Sequence, residues 1–453
     1  MQRAGHLRTI LKTAMPAVVD LSSQTIMWTI DAILVGRLSA AAFAGVAMAI
    51  QIVVVFFAVL LTFVVGSSVV IARALGRGDR WEANHVLGQT MIIGVAAAFL
   101  FAVIWYSGAI HLFKLIGRAG AEEAGLAAER AGVTYLRTVA FFAPLIVTNF
   151  IGVGIIRGSG DTGHSMVINM VVNGLNLALA PSLIFGWFGL PRLEVQGAAL
   201  AVGIAHSVGF FLTFALLRSR RARLFLPMRE FLHPNGETFR RLLRTGLPAT
   251  VEQLATSVGV LCVMSYAAQL GLATLSAHAV FVRVQAVLSM AYMGFGLGAM
   301  TLVGMELGAG HSERALRIAR LSMLVTLAFV VTAAAGLVLF SRQIMSLFLT
   351  RRETAVMAKG AMAIWVFALT QIPKALLGSV AGSLRGAGDL RFLMWLTIVS
   401  VLVFEVGLNY VGAFIIGWGL VGLWAVHGFG EVTRLGITYR RLHGNGGEVA
   451  RRV

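Results

Sequence analysis

Two aspartates, Asp20 and Asp31, lie inside AMPAVVDLSSQTIMWTIDAILVG, residues 14–36. That run is apolar and long enough to cross a bilayer. The pair is eleven residues apart, so on a helix both share one face, about 20° apart in angle and about 16 Å apart in depth. An aspartate at mid-bilayer costs about 2.5–3.5 kcal/mol on insertion scales, and such residues usually face an interior cavity or pathway. A carboxyl there can take a proton from one side, release it on the other and attract a cationic solute when ionised. Ser22, Ser23, Gln24 and Trp28 add polarity to the same segment, and Pro16 adds a bend. A second set of ionisable residues falls in apolar runs further along: Glu252, Arg283, Lys374 and Glu405. Lys374 reads as a buried partner of Glu252 or Glu405, or as a counter-charge that titrates, since buried lysines shift readily. Arg283 and Glu405 form another possible pair.

The elements that hold these groups are membrane helices. The chain has 453 residues, 58% hydrophobic and only 12% charged, where a soluble domain is about a quarter charged. Twelve apolar runs of spanning length start near residues 13, 44, 90, 133, 165, 194, 245, 277, 317, 360, 392 and 417. The expected fold is therefore all-α and integral to the membrane, with twelve transmembrane helices in two six-helix lobes. Residues 1–217 form the first lobe, 218–244 a basic linker, 245–438 the second lobe and 439–453 a basic tail. The first run is too long for a signal-peptide core and is expected to stay as helix 1. The net charge of +18 would suggest nucleic acid in a soluble protein. Here the Lys and Arg cluster in the N-terminus, in the loops after even-numbered helices and in the tail. That asymmetry reads as orientation, with both termini cytoplasmic, and no nucleic-acid partner is expected. The single cysteine, Cys262, excludes an internal disulfide and a cysteine-rich metal site.

The halves repeat each other. PAVVD (16–20) matches PATVE (248–252), and ARALGRGD (72–79) matches GMELGAGH (304–311), both at an offset of 232. IIRGSGD (155–161) matches SLRGAGD (383–389) at an offset of 228. Six spans per half give both halves one orientation, hence a parallel repeat about an axis along the membrane normal. Secondary transporters use such repeats as lobes that rock about a central site. The R-G-x-G-D segments supply glycines for sharp turns after helices 4 and 10. Arg157 and Arg385 in them are expected to pair with carboxylates or lipid phosphates. No GKS/GKT ending is present in them, so no nucleotide-driven pump is implied.

Taken together, these segments resemble the multidrug and toxic compound extrusion (MATE) family, in its bacterial branches. The matching residues are P-x14-D-A-I-L-V-G-R-L-S from Pro16 to Ser39, A-x-G-x-G-D at 74–79, the stretch 157–186 and SLRGAGDLR at 383–391. The resemblance covers nearly the whole chain and implies export of bulky, usually cationic or amphipathic compounds by a multi-pass protein of the bacterial inner membrane. Export would be driven by inward protons or sodium, by alternating access, with no cofactor. It singles out Asp31 as the main coupling carboxylate and Asn176 in helix 5 as its neighbour. Many relatives place an aspartate four residues after that asparagine, where this chain has Ala180. Sodium-coupled relatives pair a glutamate at the Glu252 position with an aspartate where this chain has Lys374. Both departures favour the proton over sodium.

The coupling or cation-binding candidates are thus Asp31, Asn176, Asp20, Glu252, Lys374 and Glu405. The candidate substrate contacts are Trp28, Gln24, Asn149, Tyr266, Tyr292 and Met290, because aromatic faces attract cations and methionine adapts to varied shapes. Met27, Met264 and Met293 have similar chemistry, and Asn169 and Asn173 read equally well as helix–helix hydrogen bonds. Lipids and small-molecule drugs are the expected partners of a monomer. Two other functions compete with export. One is a flippase for a lipid-linked precursor, which Lys374 and Arg283 keep open. The other is a membrane enzyme, which would need a clustered nucleophile or metal site; His206 and His278 stand alone in the sequence.

Overall fold

The computed structural model describes residues 2–116, 122–219, 221–341, 343 and 354–444. In chain order the long helices are α1 (Gln2–Gly36), α2 (Ala40–Gly76), α3 (Arg80–Ser107), α4 (Glu122–Gly158), α5 (Thr162–Phe185) and α6 (Glu194–Arg218). They continue as α7 (Gly236–Gln269), α8 (Leu272–Gly308), α9 (Ser312–Leu339) and α10 (Thr354–Gly386). Then come α11, which begins as Leu390–Ser400 and runs on to residue 415, and α12 (Gly419–His443). Eleven of these, α1 to α11, are long and apolar enough to cross a membrane, and α12 is the twelfth long helix among the described residues. A helix satisfies every interior backbone group within itself, which is why lipid permits it. Prolines sit inside α1, α4, α5, α7 and α10 (Pro16, Pro144, Pro181, Pro248 and Pro373). Such prolines are tolerated in membrane helices because neighbours re-satisfy the freed carbonyls.

The chain forms two compact units, one of Val19–Leu75 with Asp79–Gly246 and the other of Met1–Val18, Gly76–Gly78 and Leu247–Val453. In the first, α4 packs against α3 and α6, and α5 against α6. In the second, α10 packs against α8, α9 and α12. Glycines allow the closest approaches. A Cβ at Gly382 would strike the backbone of Gly296, joining α10 to α8. A Cβ at Gly246 would strike the Thr62 carbonyl, joining α7 to α2. Gly246→Val is therefore expected to lose about 1–3 kcal/mol by overpacking. Gly163→Ala, where a Cβ meets open space, is expected to leave stability unchanged or slightly raised. Thermal unfolding in detergent reads both.

The repeat reappears as four matching turns. After α2, α4, α8 and α10 the chain reverses at Gly78, Gly160, Gly310 and Gly388, with φ of 78°, 82°, 77° and 78°. At each, the next residue's amide donates to the carbonyl five residues back: Asp79 to Ala74, Asp161 to Ile156, His311 to Glu306 and Asp389 to Leu384. That bond is the mark of a Schellman end, which places glycine in the left-handed region.

Residues 218–244 depart from the expected linker. Arg218 closes α6, Met228–Leu232 forms a short 3-10 turn and residues 236–244 are the first turns of α7. The segment docks on α3. Buried Gln89 donates to Glu230 and to the His233 carbonyl and accepts from the Asn235 amide, and His85 Nδ1 lies 2.8 Å from Glu230. The arginines that gave the stretch its linker character, Arg221, Arg229, Arg240, Arg241 and Arg244, are exposed while its polar backbone packs. Residues 439–443, expected in the tail, are the last turn of α12, and 445–453 lie outside the described residues.

Candidate functional site

In the first unit, α1 and α5 face each other along a polar seam. Asn169, Asn173 and Asn176 recur at four and then three residues, one face of α5. Each meets a residue of α1. Asn176 Nδ2 donates to both carboxylate oxygens of Asp31, at 2.9 and 2.8 Å. Asn173 donates to Ser23 Oγ at 2.9 Å, and Ser23 in turn donates to the Asp20 carbonyl. Asn169 donates to Asp20 Oδ1 at 2.6 Å.

The two aspartates differ in kind. Asp31 is half-buried, and among the described residues its carboxylate is hydrogen-bonded by a neutral amide alone. Asp20 is 0% exposed. Arg157 Nη2 lies 2.9 Å from its Oδ2, and Ser165 donates to the same oxygen at 3.5 Å. Asp20 was expected among the coupling groups, but a cation there would have to displace Arg157. Its geometry is that of a fixed ion pair tying α1 to the end of α4.

The second unit repeats that pair. Arg385 Nη2 lies 2.7 Å from Glu252 Oε1, so the repeat equivalents of Asp20 and Arg157 meet again. Glu252 is accordingly held by arginine and not by Lys374, which was one expected partner. Lys374 instead sits 3.3 Å from His427 Nε2 and 3.6 Å from Glu431 Oε1, both on α12. His427 Nδ1 lies 2.6 Å from Glu405 Oε1 on α11, and Asn409 donates to the other oxygen of Glu405. The imidazole thus contacts both Lys374 and Glu405. Glu405 lies on a π-helical stretch, Val401–Leu408, a distortion often found at functional sites. Arg283 is exposed.

The substrate candidates separate as well. Trp28 is 55% exposed and Gln24 half-buried, both on α1. Asn149 is buried and bonded, accepting from Thr213 at 2.8 Å, with His206 Nδ1 3.4 Å from its amide nitrogen. That is a tie between α4 and α6, and Asn149 drops out as a substrate contact. Tyr266 donates its hydroxyl to the Val406 carbonyl and packs edge-on to Tyr410 and Phe414. Tyr292 is buried among Val330 and Ala375, and Met290 is half-buried.

His427, Glu431 and Arg434 were missed by the reading of the sequence. His427 and Glu431 are four residues apart on α12 and so share a face. Ionisable residues in an otherwise apolar run were the available signal.

The MatE family model matches residues 16–182 and 248–411, one match in each half of the repeat. A probable multidrug resistance protein NorM of Thermotoga maritima is 25% identical over 418 residues, covering 92% of this chain and 88% of the relative. A probable multidrug resistance protein NorM of Rhizobium meliloti is 28% identical over 434 residues, covering 92% and 89%. Among solved structures, a MATE crystallised in a straight conformation superposes with a TM-score of 0.88 at 22% identity, covering 98% of this chain and 97% of that one.

Proposed function

This chain belongs to the MatE family, and from that premise we propose that it is a secondary active multidrug exporter coupled to inward protons. As in its relatives' names, the cargo class is multidrug; bulky cationic or amphipathic compounds suit an ionisable carboxylate beside aromatic faces. Asp31 is the coupling group. The observation that supports this is that, among the described residues, it pairs with the neutral Asn176 alone, while Asp20 and Glu252 are each neutralised by an arginine. Protonation of Asp31 and occupation by a cation then exclude each other. Inward protons discharge the site and outward cargo refills it from the cytoplasm. Asn176 orients the carboxylate in either form, since its amide can both donate and accept. Trp28 and Gln24 lie near Asp31 in sequence on α1 and are the nearest candidates for cargo contacts. The protein acts as a monomer in the bacterial inner membrane with both termini in the cytoplasm, the orientation that the Lys and Arg distribution favours.

The test is efflux of a cationic dye from reconstituted vesicles, with a pH gradient and a sodium gradient imposed separately. Export driven by the pH gradient alone is expected. Export driven by sodium alone would overturn proton coupling. No dye movement under either gradient, from folded protein, would favour lipid-precursor flipping, which vesicles holding a labelled polyprenyl-linked substrate would then register.

A further inference from the structure

The second unit holds a buried cluster that the Asp31 reading leaves idle. It joins Lys374 of α10, Glu405 of α11, and His427, Glu431 and Arg434 of α12. With His427 neutral, two cations and two anions cancel. One proton on the imidazole leaves the cluster with one positive charge in excess.

Hydrogen-bond directions fix the form of His427 in this geometry. Its Nδ1 lies 2.6 Å from Glu405 Oε1, so Nδ1 carries the hydrogen and donates. Its Nε2 lies 3.3 Å from Lys374 Nζ, a group that only donates when charged. Nε2 must therefore present its lone pair. An acceptor is also within reach, since Glu431 Oε1 is 3.7 Å from the same Nε2. The second oxygen of Glu431 is buried with no hydrogen-bond partner among the described residues, so that carboxylate has capacity left. Arg434 flanks Glu431 at 3.7 Å and is itself anchored by donating to Thr397. The other imidazole nearby is His278 of α8. Trp424 stands between the two, with ring centroids 5.5 Å from each.

We propose that His427 is a proton-binding site that switches Lys374. In the neutral form, Lys374 donates to Nε2. When a proton binds Nε2, that hydrogen bond breaks, two cations face each other, and Nε2–H turns to Glu431 Oε1. Lys374 then loses the imidazole and must share Glu431 Oε1 with Nε2–H, so its hold in the cluster loosens, which its partly exposed side chain permits. The ligand is the proton, and Glu405 positions the ring by holding Nδ1–H throughout. Asp31 has no part in this switch.

The experiment uses the full chain in lipid nanodiscs, with histidine and lysine labelled with nitrogen-15, followed by solid-state NMR from about pH 5 to 8, the range in which histidine changes charge. At the upper end His427 is expected as the neutral Nδ1–H form, with a through-space contact from Nε2 to Lys374 Nζ. At the lower end both ring nitrogens carry hydrogen and that contact is lost. His427→Gln assigns the signal; should it fail to fold, Lys374→Met assigns the contact while keeping the imidazole. A ring that holds one form across the range overturns the proposal. So does a ring that protonates with the lysine contact intact, or a titrating signal that survives in His427→Gln. Because none of these readings requires transport, failure of the exporter reading would leave them unchanged.

Discussion

Asp31→Asn is expected to abolish proton-driven export while the protein still folds. Asparagine keeps the size of aspartate and can still bond to Asn176, so the α1–α5 seam loses no packing. What it loses is the ability to take and release a proton. The wild-type carboxylate also supplies the charge that draws a cation; at about 4 Å and an effective dielectric near 20, two unit charges attract by about 4 kcal/mol. Loss of that term alone would lower cation affinity by orders of magnitude, and loss of titration would remove the coupling. Vesicle efflux under a pH gradient, with melting temperature measured beside it, checks this. Dye export near the wild-type rate in a folded Asp31→Asn protein would remove Asp31 from the mechanism.

Arg157→Ala is expected to destabilise the fold more than any other single change discussed above, by about 3–5 kcal/mol, the cost of leaving a buried charge unpaired. Asp20 is fully enclosed, and its remaining partners, Asn169 and Ser165, are neutral. Restoring neutrality should recover much of the loss, so Asp20→Asn with Arg157→Ala should be milder than the sum of the two single changes. The repeat supplies an internal comparison. Arg385→Ala opens the same pair in the second unit, but the Arg385 side chain is 29% exposed against 15% for Arg157. Water can then reach Glu252, and a smaller loss is expected. Melting curves of the four variants in one detergent decide the order; equal losses at Arg157 and Arg385 would refute the burial argument.

The sequence by itself determined the class of the molecule. Twelve apolar runs could only be membrane helices, because lipid offers no partner for an unpaired backbone group. The internal repeat was legible too, and with it the pairing of PAVVD with PATVE and of the two R-G-x-G-D turns, since glycine at a helix end signals a specific backbone reversal. Asp31 stood out because a carboxyl in an apolar run costs free energy, and Asn176 stood out through the resemblance to the family. Their partners did not. Asp20 and Asp31 share a helix face, yet one is locked by Arg157 and the other, among the described residues, is hydrogen-bonded by an amide alone. Lys374 could have met Glu252 or Glu405 by sequence alone, and met His427 and Glu431 instead. Helical periodicity fixes which side of a helix a residue occupies. Which neighbour that side faces depends on how the helices rotate and stack, and that is set by backbone contacts at glycines such as Gly246 and Gly382. Those contacts are long-range, so only the tertiary structure decided which carboxylates pair with an arginine and which, among the described residues, meets an amide.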